Sequence, residues 1–121
     1  MLTEDNNNAT YQIQSYTENS IIINKISYQK NLIISPNRLL SPWFEGHQKI
    51  PSTENLRLLL DFQPEIILIG TGQKNILLSD ELLQVLTHLR CGVECMSTPA
   101  ACRTYTALSS EGRQVVAGLI L

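Results

Sequence analysis

The sequence lacks a hydrophobic run long enough to cross a lipid bilayer. Its longest strictly aliphatic stretch is Ile66–Ile69, whereas a transmembrane helix needs about 20 apolar residues. Residues 1–10 are polar and acidic, where a secretory signal peptide would be basic and then apolar. These two absences predict no membrane insertion and a cytoplasmic location.

The sequence also lacks an excess of charge of either sign. Nine Lys and Arg residues stand against eleven Asp and Glu residues, and aromatic residues make up 6% of the chain. Proteins that bind nucleic acid present basic patches, often with aromatic residues on which bases stack. The composition therefore predicts no nucleic-acid partner.

Cysteine is scarce: the chain has three, an odd number, at Cys91, Cys95 and Cys102. In a chain without an export signal, an odd count favours reduced thiols over a disulfide framework. The C-x3-C spacing of the first two has no second close pair of ligands, and His47 and His88 are isolated in the sequence. We therefore expect free thiols, no metal site and no cofactor.

The usual motifs of catalysis and nucleotide binding are missing as well. There is no G-x-S-x-G motif, and neither histidine has a nucleophile or a carboxylate at the spacing of a catalytic motif. The stretch Gly70-Thr71-Gly72 fails as a dinucleotide fingerprint because Asn75 replaces the third glycine, and Lys74 belongs to no phosphate-loop motif. The sequence predicts no catalytic residue and argues against an enzyme.

What the chain does contain is material for one globular domain. Of its 121 residues, 43% are hydrophobic and 17% are charged, which is ordinary composition for a domain with a single core. Residues 1–9 hold little that could be buried, and we expect them to form a flexible N-terminus. The domain is predicted to span residues 10–121.

The first half of the chain contains four short runs with β-branched or aromatic residues, separated by turn residues. The runs are Tyr11–Tyr16, Ile21–Ile23, Ile26–Tyr28 and Leu32–Ile34. They predict a meander of antiparallel strands. Proline then breaks this pattern at Ser35-Pro36 and Ser41-Pro42, and Trp43 is expected to anchor the following loop onto the core.

The second half alternates helices with strands. Helices are expected to begin at Ser52 or Thr53, at Ser79, and at Thr98 as the N-cap, with glycines Gly92 and Gly112 ending the second and third. The strands are predicted at Glu65–Ile69, Val93–Met96 (taken as buried) and Gln114–Leu121. This alternation predicts an α/β domain with parallel strand pairing.

Candidate ligand-binding residues follow from that pairing. If Glu65–Ile69 and Val93–Met96 are parallel neighbours, the residues after each strand meet at one edge of the sheet, where α/β domains bind ligands. Free N–H groups at the start of the third helix would point there and favour an anion or a nucleotide-like ligand. The candidate site residues are Gly70, Thr71, Gly72, Thr98, Arg103, Thr104 and Tyr105.

The same residues have a purely structural interpretation. Gly70-Thr71-Gly72 would then be a tight turn that needs glycine dihedral angles, and Thr98 would be a helix cap. Arg103 would form an ion pair with Glu94 or Glu111. Composition and spacing leave both interpretations open.

An ordered set of segments carries a family resemblance. The segments are Ile34-Ser35-Pro36, Trp43, Pro64–Gly72, Gly92-Val93-Glu94, Thr98–Tyr105 and Glu111–Ala117. Together they resemble, over about residues 10–121, the small single-domain family that includes mitochondrial complex I assembly factor 3. Two positions depart from the family pattern: Thr106 stands where asparagine often follows Arg-Thr-Tyr, and Pro99 stands where glycine is frequent.

The resemblance implies a three-layer α/β fold, with a central mixed sheet, helices on one side and β hairpins on the other. For the family as a whole it implies neither an established enzymatic activity nor an agreed cofactor, and the eukaryotic relative assembles the respiratory NADH dehydrogenase. Our leading hypothesis is a non-catalytic interaction or assembly protein with a protein partner, in respiratory or membrane-complex biogenesis. The alternative is a protein that binds a small anion or nucleotide-like ligand; the partner and any homo-oligomer are left open.

Overall fold

The computed structural model describes residues 9–45, 48–73, 78–87 and 91–121. Eight strands are found there: β1 (Ile13–Tyr16), β2 (Ile21–Ile23), β3 (Ile26–Tyr28), β4 (Leu32–Ile34), β5 (Leu39–Leu40), β6 (Ile66–Thr71), β7 (Gly92–Met96) and β8 (Val115–Ile120). The helices in these ranges are α1 (Thr53–Leu58), a 3-10 helix (Leu59–Phe62), α2 (Asp80–Thr87) and α3 (Thr98–Ser110).

The strands form two sheets. One is a three-stranded antiparallel sheet in the order β1-β2-β3, and the other is a five-stranded mixed sheet in the order β5-β4-β8-β6-β7. In the larger sheet β6 lies between β7 and β8 and pairs with both in parallel, with Ile69 opposite Cys95 and Gly118. The predicted parallel pairing of the second-half strands is therefore confirmed.

Two hydrophobic cores lie on opposite faces of the five-stranded sheet, because alternate side chains of a strand point to opposite faces. On β8, Val115, Ala117 and Leu119 belong to one core and Val116 belongs to the other. The first core includes α3 and β2, and the second includes α1, the 3-10 helix, α2 and Trp43. The sheet is thus the middle of three layers.

The predicted single-domain α/β fold with three layers is confirmed. One outer layer contains α1, the 3-10 helix and α2, and the opposite layer contains the three-stranded sheet of β1, β2 and β3. The helix α3 departs from the arrangement that the resemblance implies, with helices on one side and β hairpins on the other. It lies in this second layer with the three-stranded sheet, where it packs against β6, β8 and β1. This arrangement places α3 directly beside β1.

Two strand predictions need correction. The predicted four-strand meander ends after three strands, because β4 pairs antiparallel with β8 in the central sheet. All three side chains of β4 are buried, as expected for a strand covered on both faces. The strand β7 is not buried as predicted, since it is an edge strand and the side chain of Glu94 is exposed.

The helix starts follow local capping. The first helix was predicted to begin at Ser52 or Thr53. In the structure Ser52 is the N-cap of α1 and forms a capping box with Asn55. The N-cap of α3 is Ser97 and not Thr98, because the Ser97 side chain accepts the Ala100 N–H. Gly92 is the first residue of β7, and the described part of α2 ends at Thr87. Residues 1–8 of the predicted flexible terminus lie outside the described residues.

The longest of the described helices, α3, has 13 residues. Within the described ranges, no helix combines the length and the apolar character that a membrane crossing requires.

Candidate functional site

The predicted convergence of polar residues at the carboxyl ends of β6 and β7 is present in the structure. Thr98, at the start of α3, lies against the end of β6, and its N–H donates to the Gly72 carbonyl at 2.6 Å. The Thr98 hydroxyl accepts the Gly72 N–H at 2.8 Å and donates to the Ile120 carbonyl at 2.6 Å. One buried threonine therefore ties α3 to the ends of β6 and β8.

These contacts use the polar groups that a ligand would need. Pro99 has no N–H, the Ala100 N–H is bound by the Ser97 hydroxyl, and the Ala101 N–H donates to the Ser97 carbonyl. The expectation of free N–H groups at the start of α3 is therefore wrong.

Helix and strand also approach closely at Gly70. A Cβ atom on this residue would lie 2.9 Å from the Thr98 Cα, which leaves no space for a side chain. Gly70 and Thr71 belong to β6 itself, and Gly72 has a positive φ of 97° that favours glycine. These residues join α3 to the sheet by direct contact.

The structure places Arg103 against β1. Its Nη1 donates to the Tyr16 hydroxyl at 2.8 Å. Among the residues that the structure describes, the ion pair formed is between Arg113 and Glu65, with 3.6 Å between Nε and Oε2. The predicted ion pair of Arg103 with Glu94 or Glu111 is not formed.

Around Arg103 lies a cavity of about 300 Å³ between strand and helix, which we call the α3–β1 cleft. It is lined by Ile13, Gln14, Ser15 and Tyr16 of β1 and by Cys102, Arg103 and Thr106 of α3. The arginine and Thr106 are exposed, whereas Cys102 is 1% exposed. The cleft therefore combines a cationic group with an apolar base.

The other two predicted site residues support α3. The Tyr105 side chain is fully buried and its hydroxyl donates to the Tyr11 carbonyl at 2.7 Å, just before β1. Thr104 donates to the Ala100 carbonyl at 2.9 Å within the helix. Tyr105 thus holds α3 beside the chain that leads into β1, and the ligand-binding role of both residues stays a prediction.

All three cysteines are free thiols in the structure. Burial raises the pKa of the Cys102 thiol to about 12, and the nearby Arg103 charge opposes this only in part. Burial also raises the pKa of the Cys95 thiol. Both thiols are therefore protonated at neutral pH and poor nucleophiles.

Metal ligands do not cluster in the described part of the chain: no group of three or more His, Cys, Asp or Glu side chains there could hold an ion. His47 and His88 lie outside the described residues, as do Lys74 and Asn75.

Sequence reasoning missed Tyr16 and the other β1 residues of the cleft. Arg103 and Tyr16 are 87 positions apart, and no motif connects them. The alternation of β1 predicts a strand but does not say which helix lies beside it.

The fold and the cleft define a small mixed-sheet α/β domain with a groove between a strand and a helix. Residues 13–120 match the family model described as "Protein of unknown function (DUF498/DUF598)", and the chain belongs to this family.

Two relatives illustrate the family. The chain is 32% identical over 119 residues to the "13 kDa major membrane protein" of Francisella tularensis, with 94% of each chain covered. It is 36% identical over 114 residues to NADH dehydrogenase [ubiquinone] 1 alpha subcomplex assembly factor 3 of Danio rerio, over 89% of this chain. The resemblance to complex I assembly factor 3 is therefore confirmed, although the chain spans only 63% of that relative's length.

Solved structures agree with the fold. The crystal structure of a Bordetella parapertussis protein superposes with a TM-score of 0.80 at 30% identity, covering 93% of this chain and 96% of that one.

Proposed function

We propose that this protein is a non-catalytic interaction or assembly protein that acts through contact with a protein partner in respiratory or membrane-complex biogenesis. The observation that carries the proposal is the 36% identity to a NADH dehydrogenase assembly factor across 89% of this chain. The family match over residues 13–120 includes both sheets and α3, so the similarity is not confined to one motif. We also propose that the protein is cytoplasmic and acts beside the membrane complex whose assembly it supports.

The chemistry of the described residues is in keeping with this role. Thr98 and Tyr105 direct their hydroxyl groups to backbone carbonyls and so hold the fold together. The Cys102 thiol in the α3–β1 cleft is protonated and buried. The groups that remain open to solvent in the cleft, among them Arg103, suit binding better than bond-making chemistry.

Deletion of the gene tests the proposal. Membranes from the deletion strain should contain less assembled NADH dehydrogenase, or less of another membrane complex, on native gels than membranes from the parent strain. The same chain supplied from a plasmid should restore the amount. Unchanged levels of every membrane complex in the deletion strain would contradict the assembly role, and turnover of a metabolite by the purified chain would contradict the absence of catalysis.

A further inference from the structure

We propose that the α3–β1 cleft binds an extended, carboxylate-bearing peptide segment of a partner protein, which adds to β1 as a further strand. This inference deepens the proposed function, on which it rests for the natural partner, because it assigns the contact surface and the chemistry of the segment bound there.

The position of β1 in its sheet leaves it able to pair with a further strand. In the order β1-β2-β3, β1 is an edge strand, and among the described residues it pairs only with β2. An edge strand presents unpaired N–H and C=O groups to which another strand can bind. The cleft is lined by all four residues of β1 and by none of β2 or β3, so the cavity follows the free edge.

The opposite wall of the cleft is formed by α3. There α3 runs beside β1 and contributes Cys102, Arg103 and Thr106. Peptide-binding domains that add a strand to an edge use such a geometry: main-chain hydrogen bonds give affinity and side-chain pockets give specificity. The distance between the two walls is held by the Arg103–Tyr16 bond at 2.8 Å and by the Tyr105–Tyr11 bond at 2.7 Å.

The positive charge of Arg103 favours a carboxylate on the bound segment. The Arg103 guanidinium donates one N–H to Tyr16 and has no carboxylate partner within the described ranges. A guanidinium has five N–H donors, so donors remain for a second acceptor. A planar carboxylate is the acceptor that arginine binds best, through two parallel hydrogen bonds. Ile13 and Cys102 offer apolar contact to the neighbouring side chains of the segment.

The size of the cleft limits the segment. A four-residue strand such as β1 is about 13 Å long, and the cavity is about 300 Å³. The pairing of β1 with β2 skips Gln14, a register shift of the kind that a β-bulge produces. We therefore expect a short segment, with apolar side chains at alternate positions and one Asp, Glu or C-terminal carboxylate facing Arg103.

Selection from a library of random heptapeptides tests the proposal with the full chain. Enriched sequences should share a carboxylate next to alternating apolar residues. The best binder is then resynthesised, and its Kd is measured by fluorescence anisotropy. Hydrogen exchange should slow at the β1 amides when this peptide is bound, because strand addition pairs them.

Two cleft variants and two matched controls locate the site. Arg103→Glu and Thr106→Trp should each weaken binding by about tenfold or more, since one reverses the charge and the other fills the cavity. Arg57→Glu reverses an exposed charge on α1, and Ala107→Trp enlarges an exposed residue of α3 outside the cleft. Both controls should bind within about twofold of the wild type. If Arg103→Glu lowers the melting temperature, Arg103→Gln replaces it.

A charge swap gives a sharper readout. A peptide in which the selected Asp or Glu is changed to Lys should bind Arg103→Glu better than it binds the wild type. The proposal is overturned if no heptapeptide binds, if binding is equal in the cleft and control variants, if acetate alone competes as well as the peptide, or if the β1 amides show no added protection. A chain that uses β1 to form a stable dimer and binds no peptide overturns it as well.

Failure of this inference can be told apart from failure of the proposed function. If plasmid-borne Arg103→Glu restores the membrane complexes of the deletion strain fully, the proposed function stands and the cleft is not the partner site. If deletion changes the amount of no membrane complex while the selected peptide binds as described, the peptide-binding role of the cleft is supported and the assembly role is contradicted.

Discussion

At the scale of single residues, Gly118 of β8 shows how tightly the second core is filled. A Cβ atom there would lie 2.5 Å from Trp43 Cη2. The indole is held in place because its Nε1 donates to the Asn55 carbonyl at 2.9 Å. The ring therefore cannot move away without loss of this bond.

We expect Gly118→Ala to lower the free energy of unfolding by about 1–3 kcal/mol, the usual cost of forcing extra volume into a packed core. Urea denaturation measures this change. Gly92→Ala is the matched control, because a Cβ at Gly92 meets nothing within 4 Å, and it should change the stability by less than about 0.5 kcal/mol. Equal losses in the two variants would contradict the packing argument.

Cys102 should make stability depend on pH in the alkaline range. Its pKa rises from 9.0 in the unfolded chain to about 12 in the fold, chiefly through burial. Above pH 9 the unfolded thiol loses its proton first, so the unfolded state binds fewer protons and stability falls as the pH rises. The contribution is complete below pH 9 and is lost between about pH 9 and 12.

Urea denaturation at pH 7, 9 and 10 checks the sign of this effect. Burial also raises the pKa of Tyr105 and of Cys95, and both shifts act in the same direction. Cys102→Ala removes one of these three groups and should lose stability less steeply with pH than the wild type. Parallel stability curves for the two proteins would show that the Cys102 thiol does not contribute.

At the scale of elements, Thr98 joins a helix to two strands. Its hydroxyl bonds to the Gly72 N–H and the Ile120 carbonyl, and its side chain is 3% exposed. Thr98→Val keeps the shape but leaves both backbone groups without a partner, at a cost of about 1–3 kcal/mol for each group. We therefore expect a loss of at least about 2 kcal/mol.

Two other variants are compared with Thr98→Val, and the free energy of unfolding of each is measured by thermal and urea denaturation. Ser97→Ala removes only the α3 cap and should cost about 1 kcal/mol. Thr98→Ser keeps the hydroxyl and should lose less than Thr98→Val. If Ser97→Ala proved more damaging than Thr98→Val, the capping residue and not Thr98 would be the main connection between α3 and the sheet.

Local sequence patterns predicted most elements because each depends on neighbouring residues. The Ser52 cap, the parallel strands and the end of α3 before Gly112 are examples. Pairing over long distances was harder to predict. Leu32–Ile34 was expected to continue the meander, yet its unbroken apolar run is typical of a strand covered on both faces. That run was the available signal for β4.

At the scale of the whole molecule, the sequence pattern correctly predicted that the ends of β6 and β7 lie close together. It did not predict which groups fill the space between those ends and α3. Thr98 and Gly70 are in direct contact there, which no spacing rule reveals. The α3–β1 cleft depends on how the three-stranded sheet packs against α3. Because that packing joins residues such as Tyr16 and Arg103 from opposite ends of the chain, only the folded structure shows it.

If the protein acts through a protein partner, the native complex must be heavier than the chain alone. The tagged full chain is expressed at its natural level, cross-linked gently and purified, and its mass is measured by light scattering with mass spectrometry of the subunits. We expect a complex heavier than the 13.6 kDa chain, with one other protein in fixed stoichiometry. A chain recovered alone, or only with copies of itself, would contradict it.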